Sequence, residues 1–340
     1  MRKRISALRS AATMQLPRLQ IVVLMSVFVA FASLLIPHSL AQSYPAKPIR
    51  MLVGLAAGGA TDVTARIVAQ SLSEDLGQSV IVENRTGADG SIAIERLISL
   101  PADGYTVLMM GISSVIQSSL RSKLPYDLER DLAPISLVAV GSQGLVVHPS
   151  TPAQDVSALI SLARTRPGKL SYGSDGMAGA GHLAGELFKF MAKVNIAHVA
   201  YRGGSEAAFA VAGGHIEAVF LSITAVLPVL EAKKVRALAV TTAKRASLMP
   251  EVPTLSESGL PGYDFSSWQG VLAHAGVPKE IIVRLNSAID RVANAPDVTN
   301  ALKKQGREVR TTTPDQFSEL IRRELAQNAK LMKAIGLRVD

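Results

Sequence analysis

Several short stretches of this 340-residue chain gather glycine, serine and threonine densely enough to cradle a small ligand. The first reads Ala56-Ala57-Gly58-Gly59-Ala60-Thr61-Asp62. Glycine lets backbone approach a ligand closely, and a helix start behind it presents unpaired N–H groups. Those donors and the helix dipole favour an anion. The competing use of the same residues is a tight turn capped by Thr61 or Asp62. The second stretch, Thr86-Gly87-Ala88-Asp89-Gly90-Ser91, is better suited to shaping and capping the next helix. The third, Gly111-Ile112-Ser113-Ser114, offers hydroxyls beyond a strand. The fourth runs from Ser174 and Asp175 through Gly179, Ala180, Gly181 and His182 into another helix. Arg202-Gly203-Gly204-Ser205 forms a further loop of this kind.

Other chemistries find less support. Gly179, Gly181 and Gly185 give a weak G-x-G-x-x-x-G, and Leu221 ends a later strand where an acidic residue could hold a ribose. There is no phosphate-binding loop with its lysine, no nucleophile elbow and no zinc-protease helix motif. The histidines at 148, 182, 198, 215 and 274 lack metal-ligand spacing, and only His182 stands at a helix start in a candidate loop. We expect no cofactor, no metal and no catalytic nucleophile–base pair, hence no enzyme.

Alternating apolar runs and helical patterns must position these loops. Strands are expected over 49–55, 80–83 and 105–110, with helices over 61–76 and 91–100 between them. This series implies a parallel sheet with right-handed crossovers. A second series places strands at 145–147, 170–172, 197–201, 217–221 and 235–241. Its helices fall at 156–165, 183–191, 206–212 and 225–231. Residues 249–267 break the alternation with Pro250, Pro253 and Pro261 and read as a connector. A short strand at 270–273 and helices over 279–293, 296–305 and 314–335 close the chain. Two α/β domains with a cleft fit this order, and ligands in such sheets sit beyond the carboxyl ends of the strands.

Residues 1–18 carry Arg2, Lys3, Arg4, Arg9 and Arg18 and no acid. An apolar run from Ile21 to Ile36 and then Ser39-Leu40-Ala41 follow. This is the layout of a secretory leader cleaved after Ala41, with an apolar run shorter than a comfortable membrane span. Removing its five basic residues from 36 leaves 31 against 27 acidic, a net +4, which gives no footing for nucleic-acid binding. The charged tail from Lys303 to Arg338 alternates signs and reads as a solvated helix face. The chain has no cysteine, so disulfides, thiolate metal sites and a lipidated cysteine are all excluded.

At the loops named above, the sequence resembles the Bug-type substrate-binding proteins of tripartite tricarboxylate transporters. The resemblance runs from Tyr44 to Ile335. It is carried by Tyr44-Pro45-Ala46-Lys47-Pro48, Gly58-Gly59-Ala60-Thr61-Asp62-Val63-Thr64-Ala65-Arg66 and Val82-Glu83-Asn84-Arg85-Thr86-Gly87. Asp103-Gly104-Tyr105-Thr106, Leu124-Pro125-Tyr126-Asp127, His182-Leu183-Ala184-Gly185-Glu186 and Tyr201-Arg202-Gly203 continue it. Val235-Arg236-Ala237-Leu238 and Val252-Pro253-Thr254 complete it. The shared order and spacing make the match specific.

The resemblance implies a two-lobed periplasmic-binding-protein fold of type II, α/β, each lobe a sheet flanked by helices, with a hinge of two crossovers. Lobe 1 would comprise residues 42–143 and 265–340, lobe 2 residues 144–264, and residues 1–41 the signal peptide. It implies a monomeric periplasmic receptor that binds a small carboxylate through loop N–H groups and hydroxyls. Its partners would be the integral membrane components of a transporter; a sensor docking to a signalling partner is the alternative. The ligand-binding residues expected are Gly58, Gly59, Ala60, Thr61, Asp62, Ser113, Ser174, Gly179, Ala180, Gly181, His182, Arg202, Gly203 and Leu221. The chain has Leu221 where the family commonly has aspartate. A leucine there leaves a ligand ammonium without its counter-charge, which favours dicarboxylates or aromatic carboxylates over amino acids.

Overall fold

The structure, a computed structural model, describes residues 44–121, 123–177 and 179–335. The leader expected over residues 1–41 lies outside the described residues. Strand β1 (Ile49–Val53), helix α1 (Ala60–Leu76), β2 (Val80–Asn84), α2 (Ser91–Ile98) and β3 (Thr106–Gly111) open the chain. Helices α3 (Ile112–Leu120) and α4 (Leu128–Asp131) and strand β4 (Leu132–Gly141) follow. Helix α1 stops where Gly77 takes the left-handed conformation, and Asp127 caps α4 through its side chain.

The second series begins one residue after β4. It runs β5 (Gln143–Val147), α5 (Val156–Thr165), β6 (Ser171–Ser174), α6 (Ala180–Ala192) and β7 (Ala197–Ala200). Then come α7 (Gly204–Ala212), β8 (Ala218–Ser222), α8 (Ile223–Glu231) and β9 (Arg236–Val240). A connector leads to β10 (Ser267–His274), α9 (Lys279–Ala293), α10 (Pro296–Lys304), β11 (Arg307–Val309) and α11 (Pro314–Ile335).

These strands form two sheets, ordered β11-β4-β10-β3-β1-β2 and β7-β6-β8-β5-β9. The parallel arrangement expected of the first series holds for β1, β2 and β3, and both sheets are completed by antiparallel strands. β1 runs parallel to β2 and β3, but β10 is antiparallel to both β3 and β4, and β4 to β11. In the second sheet β6, β7 and β8 are parallel while β5 opposes β8 and β9. The reversal follows from connectivity: β5 and β10 are each the first strand after the chain crosses from the other sheet, and they enter from the opposite end.

The crossings are stitched to each other. Thr241 N–H donates to the Gln143 carbonyl at 3.0 Å, and Gln143 N–H to Thr241 Oγ1 at 2.9 Å. Phe265 N–H donates to the Thr241 carbonyl at 2.8 Å. One continuous apolar cluster holds Leu52, Leu108 and Trp268 of the first sheet and Tyr172, Phe188 and Phe220 of the second region. Trp268 meets Phe317 of α11 edge-on, with ring centroids 5.4 Å apart. Among the described residues no helix is long and apolar enough to cross a membrane.

Candidate functional site

The carboxyl ends of β1 and β3 meet over a set of small residues. A side chain at Gly54 would run into the backbone of Gly90, and one at Gly111 would press on Thr61 Oγ1 and the Trp268 carbonyl. Only a void of about 10 Å³ remains among Gly54, Thr61, Gly90, Gly111 and Ser114, at most one water's worth. There is thus no room for a ligand beneath these loops, and residues 56–60 above them are exposed.

Helix α1 starts there at Gly59, with no side-chain cap. Gly58 has φ +79°, the left-handed region that glycine tolerates. Its N–H donates to Asp62 Oδ2 at 2.9 Å. Gly59 N–H is turned onto the Ala56 carbonyl at 3.2 Å. Thus neither glycine offers the donor expected of it. The free donors are the next three: Ala60, Thr61 and Asp62 N–H have no partner within the helix or the preceding turn.

Asp62 itself is buried and committed. Arg66 grips both carboxylate oxygens, at 3.0 Å each, and Asn84 donates to Oδ1 at 2.9 Å. Arg66 also donates to Asn84 Oδ1, and Asn84 to the Leu55 carbonyl. The Arg66 hydrogen bond, above all, holds the Asp62 carboxyl down at about 2. Its negative charge is thereby neutralised beside the free N–H groups. Ser113, expected in a loop, lies in the first turn of α3 and is half-buried.

The other candidate loop follows β6. Ser174 is fully buried, and its hydroxyl is shared between His198 Nε2 at 2.7 Å and the Gly176 carbonyl at 2.9 Å. His182 is buried and stacked on His198, with centroids 3.9 Å apart and planes 11° apart. Tyr172 donates to Glu186 Oε1 at 2.8 Å, with the His182 carbonyl 3.2 Å away, and Lys189 reaches the same Glu186 oxygen at 2.7 Å. Burial, the neighbouring His182 and Lys189 bring His198 down to about 4, and burial lowers His182 as well. Ser174 and His182 therefore brace the loop from beneath, with their side chains engaged by protein groups.

Gly181 fits because a side chain there would strike the Phe220 carbonyl. Its N–H is bonded to the Asp175 carboxylate. Asp175 is exposed by surface area yet hemmed in by protein, and that confinement raises its carboxyl against the pull of the N–H groups of Asp175 and Gly181. Arg202 is exposed and donates its N–H to Glu206 Oε2 at 3.0 Å; Gly203 caps α7. Leu221 corrects the sequence reading. It is 0% exposed and packs with Val146, Val219 and Val226, so it touches no ligand. Both faces of β8 are covered, Phe220 by one apolar cluster and Leu221 by another, so either face would enclose it.

The structure thus gathers Gly58–Asp62 and Ser113 at the first sheet, and Gly179–His182, Ser174, Arg202 and Gly203 at the second. Sequence reasoning missed His198, which β7 carries beneath the β6 loop, and Asn84, which fixes Asp62. Among the described residues no group of three His, Cys, Asp or Glu side chains could hold a metal ion.

Comparison with known proteins agrees with this architecture. The tripartite tricarboxylate transporter family receptor model matches residues 64–337. BugT of Bordetella pertussis is 34% identical over 322 residues, covering 94% of this chain and 98% of its own. The protein Rpa4515 of R. palustris, solved with adipate, is 35% identical with a TM-score of 0.74, over 87% of this chain and 99% of its own. MatC of Rhodopseudomonas palustris, solved with malate, is 27% identical with a TM-score of 0.70, over 85% and 99%. With two helix-flanked sheets of this kind and a family match across most of its length, the chain belongs to the tripartite tricarboxylate transporter receptors, the Bug-type periplasmic solute-binding proteins.

Proposed function

We propose that this receptor captures a small dicarboxylate between its two sheets in the periplasm and passes it to the membrane components of a tripartite tricarboxylate-type transporter. The observation that carries the ligand class is the start of α1: three adjacent N–H groups without partners among the described residues, beside a carboxylate already neutralised by Arg66. Adipate and malate, bound to two relatives, are ligands of this class. With Leu221 in the core, the case for an amine-free ligand rests on those relatives and on the all-donor character of the α1 start. Periplasmic location rests on the leader read in residues 1–41 and on the relatives.

Closure is the second part of the proposal. Residues 42–143 with 265–340, and residues 144–264, act as two lobes. They close about residues 141–144 and 265–267, because few backbone angles there need to change. A thermal-shift screen of the purified protein against mono-, di-, tri- and aromatic carboxylates is the experiment. Ligand at a hundredfold its Kd should stabilise by about 2.7 kcal/mol. Small-angle scattering should then show a smaller radius with the stabilising acid. A response confined to amino acids or sugars would overturn the ligand class, and an unchanged radius would overturn closure.

A further inference from the structure

Arg307 sits where the sequence promised a solvated helix face. It is instead the first residue of β11, and it is 8% exposed. Its side chain lies across Gly141 of β4, where a side chain on that glycine would collide with the guanidinium. Nη1 donates to Ser267 Oγ at 2.7 Å. That is the single hydrogen bond it makes among the described residues, out of five N–H donors, and it forms no ion pair there. Burial alone brings its pKa down to about 10, so it stays charged.

An enclosed cation without a counter-charge is costly, and it costs least when an anion completes it. The surroundings show where that anion would sit. Arg307, Gly141 and Ser267 are register partners on three adjacent strands. Gln269, two residues further on the same face, pairs with Gly111 of β3, against which Thr61 Oγ1 lies. These positions all lie at the end of the sheet from which the β1–α1 loop projects. One strand spacing and two residue rises put Ser267 about 8 Å from Gly111. Gln143 adds its amide to Ser267 Oγ at 3.4 Å. Gln269 is 4% exposed and its Oε1 has no partner, so this face holds unused hydrogen-bonding capacity. The neighbouring Glu308 turns to the opposite face, where it accepts Ser247 N–H at 2.8 Å.

We infer that Arg307 is a specificity-determining residue, whose guanidinium takes one carboxylate of a dicarboxylate while the α1 N–H groups take the other. The inference rests on the receptor reading above. The spacing suits an acid whose two charges are several ångströms apart, and it discriminates against a monocarboxylate of equal length.

Calorimetric titration of the wild type, Arg307→Met and Arg307→Lys with succinate, adipate, butyrate and hexanoate tests this. Arg307→Met should weaken the better dicarboxylate at least tenfold and reduce the dicarboxylate-over-monocarboxylate preference by a similar factor. Arg307→Lys should fall between, because it keeps the charge and loses the fork. The unliganded melting temperature of Arg307→Met should be unchanged or raised, since an unpaired buried charge has gone. Equal weakening of both acid classes, or no weakening, would overturn the assignment. So would a melting temperature about 5 °C lower, which marks a structural arginine. If the wild type bound none of the four acids but another carboxylate stabilised it, this inference alone would fall; if no carboxylate in the screen bound, the receptor's ligand class would fall and this inference with it.

Discussion

Helices α1 and α6 begin alike and end up chemically different. Each follows a strand, starts at a glycine in extended conformation and has no side-chain cap on that glycine. At α1 the nearby carboxylate, Asp62, is turned back onto Gly58, Arg66 and Asn84, so the helix start stays open to an anion. At α6 the nearby carboxylate, Asp175, takes the Gly181 N–H. The loop beneath it is held by a Ser174–His198–His182 stack and the Tyr172–Glu186–Lys189 network. A glycine-rich helix start is therefore not a binding site by composition. The two starts differ in where the adjacent acid goes.

Breaking the α1 arrangement should have the largest effect. Asp62→Ala strips Arg66, Asn84 and Gly58 of their common acceptor, with the carboxylate buried. Urea unfolding should show a loss of about 3 kcal/mol, at the upper end for hydrogen bonds to a charged group, since Arg66 itself is half exposed. Carboxylate binding should fall with it, because the loop over residues 54–59 loses its anchor. A loss below about 1 kcal/mol would mean the network does not organise the loop.

The α6 region should instead respond to acid. His198 faces His182, Ser174, Tyr172 and the charge of Lys189. Its folded value of about 4 lies below the ordinary 6.5 of histidine. As pH falls, the unfolded chain binds the proton first, so stability is intact above pH 6.5 and is lost as pH drops toward 4. The loss is on the order of 2–3 kcal/mol. His198→Phe should flatten melting temperature against pH across that window. A variant as acid-sensitive as the wild type would place the titration elsewhere.

The smallest expected effect sharpens the contrast. Asp175→Asn keeps an acceptor for Gly181 N–H and removes the negative charge from the α6 start. Anion affinity should rise by a factor of about two to five, the size of a helix-terminus charge effect. Calorimetry showing weaker binding would mean Asp175 contacts the ligand directly.

The elements with strong local signals were legible in the sequence. The helices expected over 156–165 and 279–293 have those bounds in the structure. The capping aspartate Asp155 and the deep apolar stripe of α9 explain why. Strand β4 was not anticipated, because Pro134 interrupts it and its pairing with β10 and β11 is set by the distant chain. Helix α3 was hidden by its serines, which favour turns locally. Leu221 shows a different limit: a residue's place near a strand end does not tell that both faces of the strand are covered there. Arg307 shows the same limit for charge. In a tail of alternating signs, only the pairing of β11 with Gly141 reveals that one arginine is enclosed. The open α1 start lay half in view: the loop was recognised, but the use of Gly58 and Gly59 N–H by the turn itself was not.

The most direct measurement concerns one N–H group. Ala60 is the first residue of α1, its N–H is free, and a proline is tolerated at that position of a helix. Ala60→Pro thus removes a single proposed ligand donor without disturbing the fold. Calorimetric titration with adipate, malate and succinate should show at least about tenfold weaker binding than the wild type, about 1.4 kcal/mol. The unliganded stability should stay within about 0.5 kcal/mol. A folded Ala60→Pro protein that binds the same acid as tightly as the wild type would contradict the account, because the anion would then lie elsewhere.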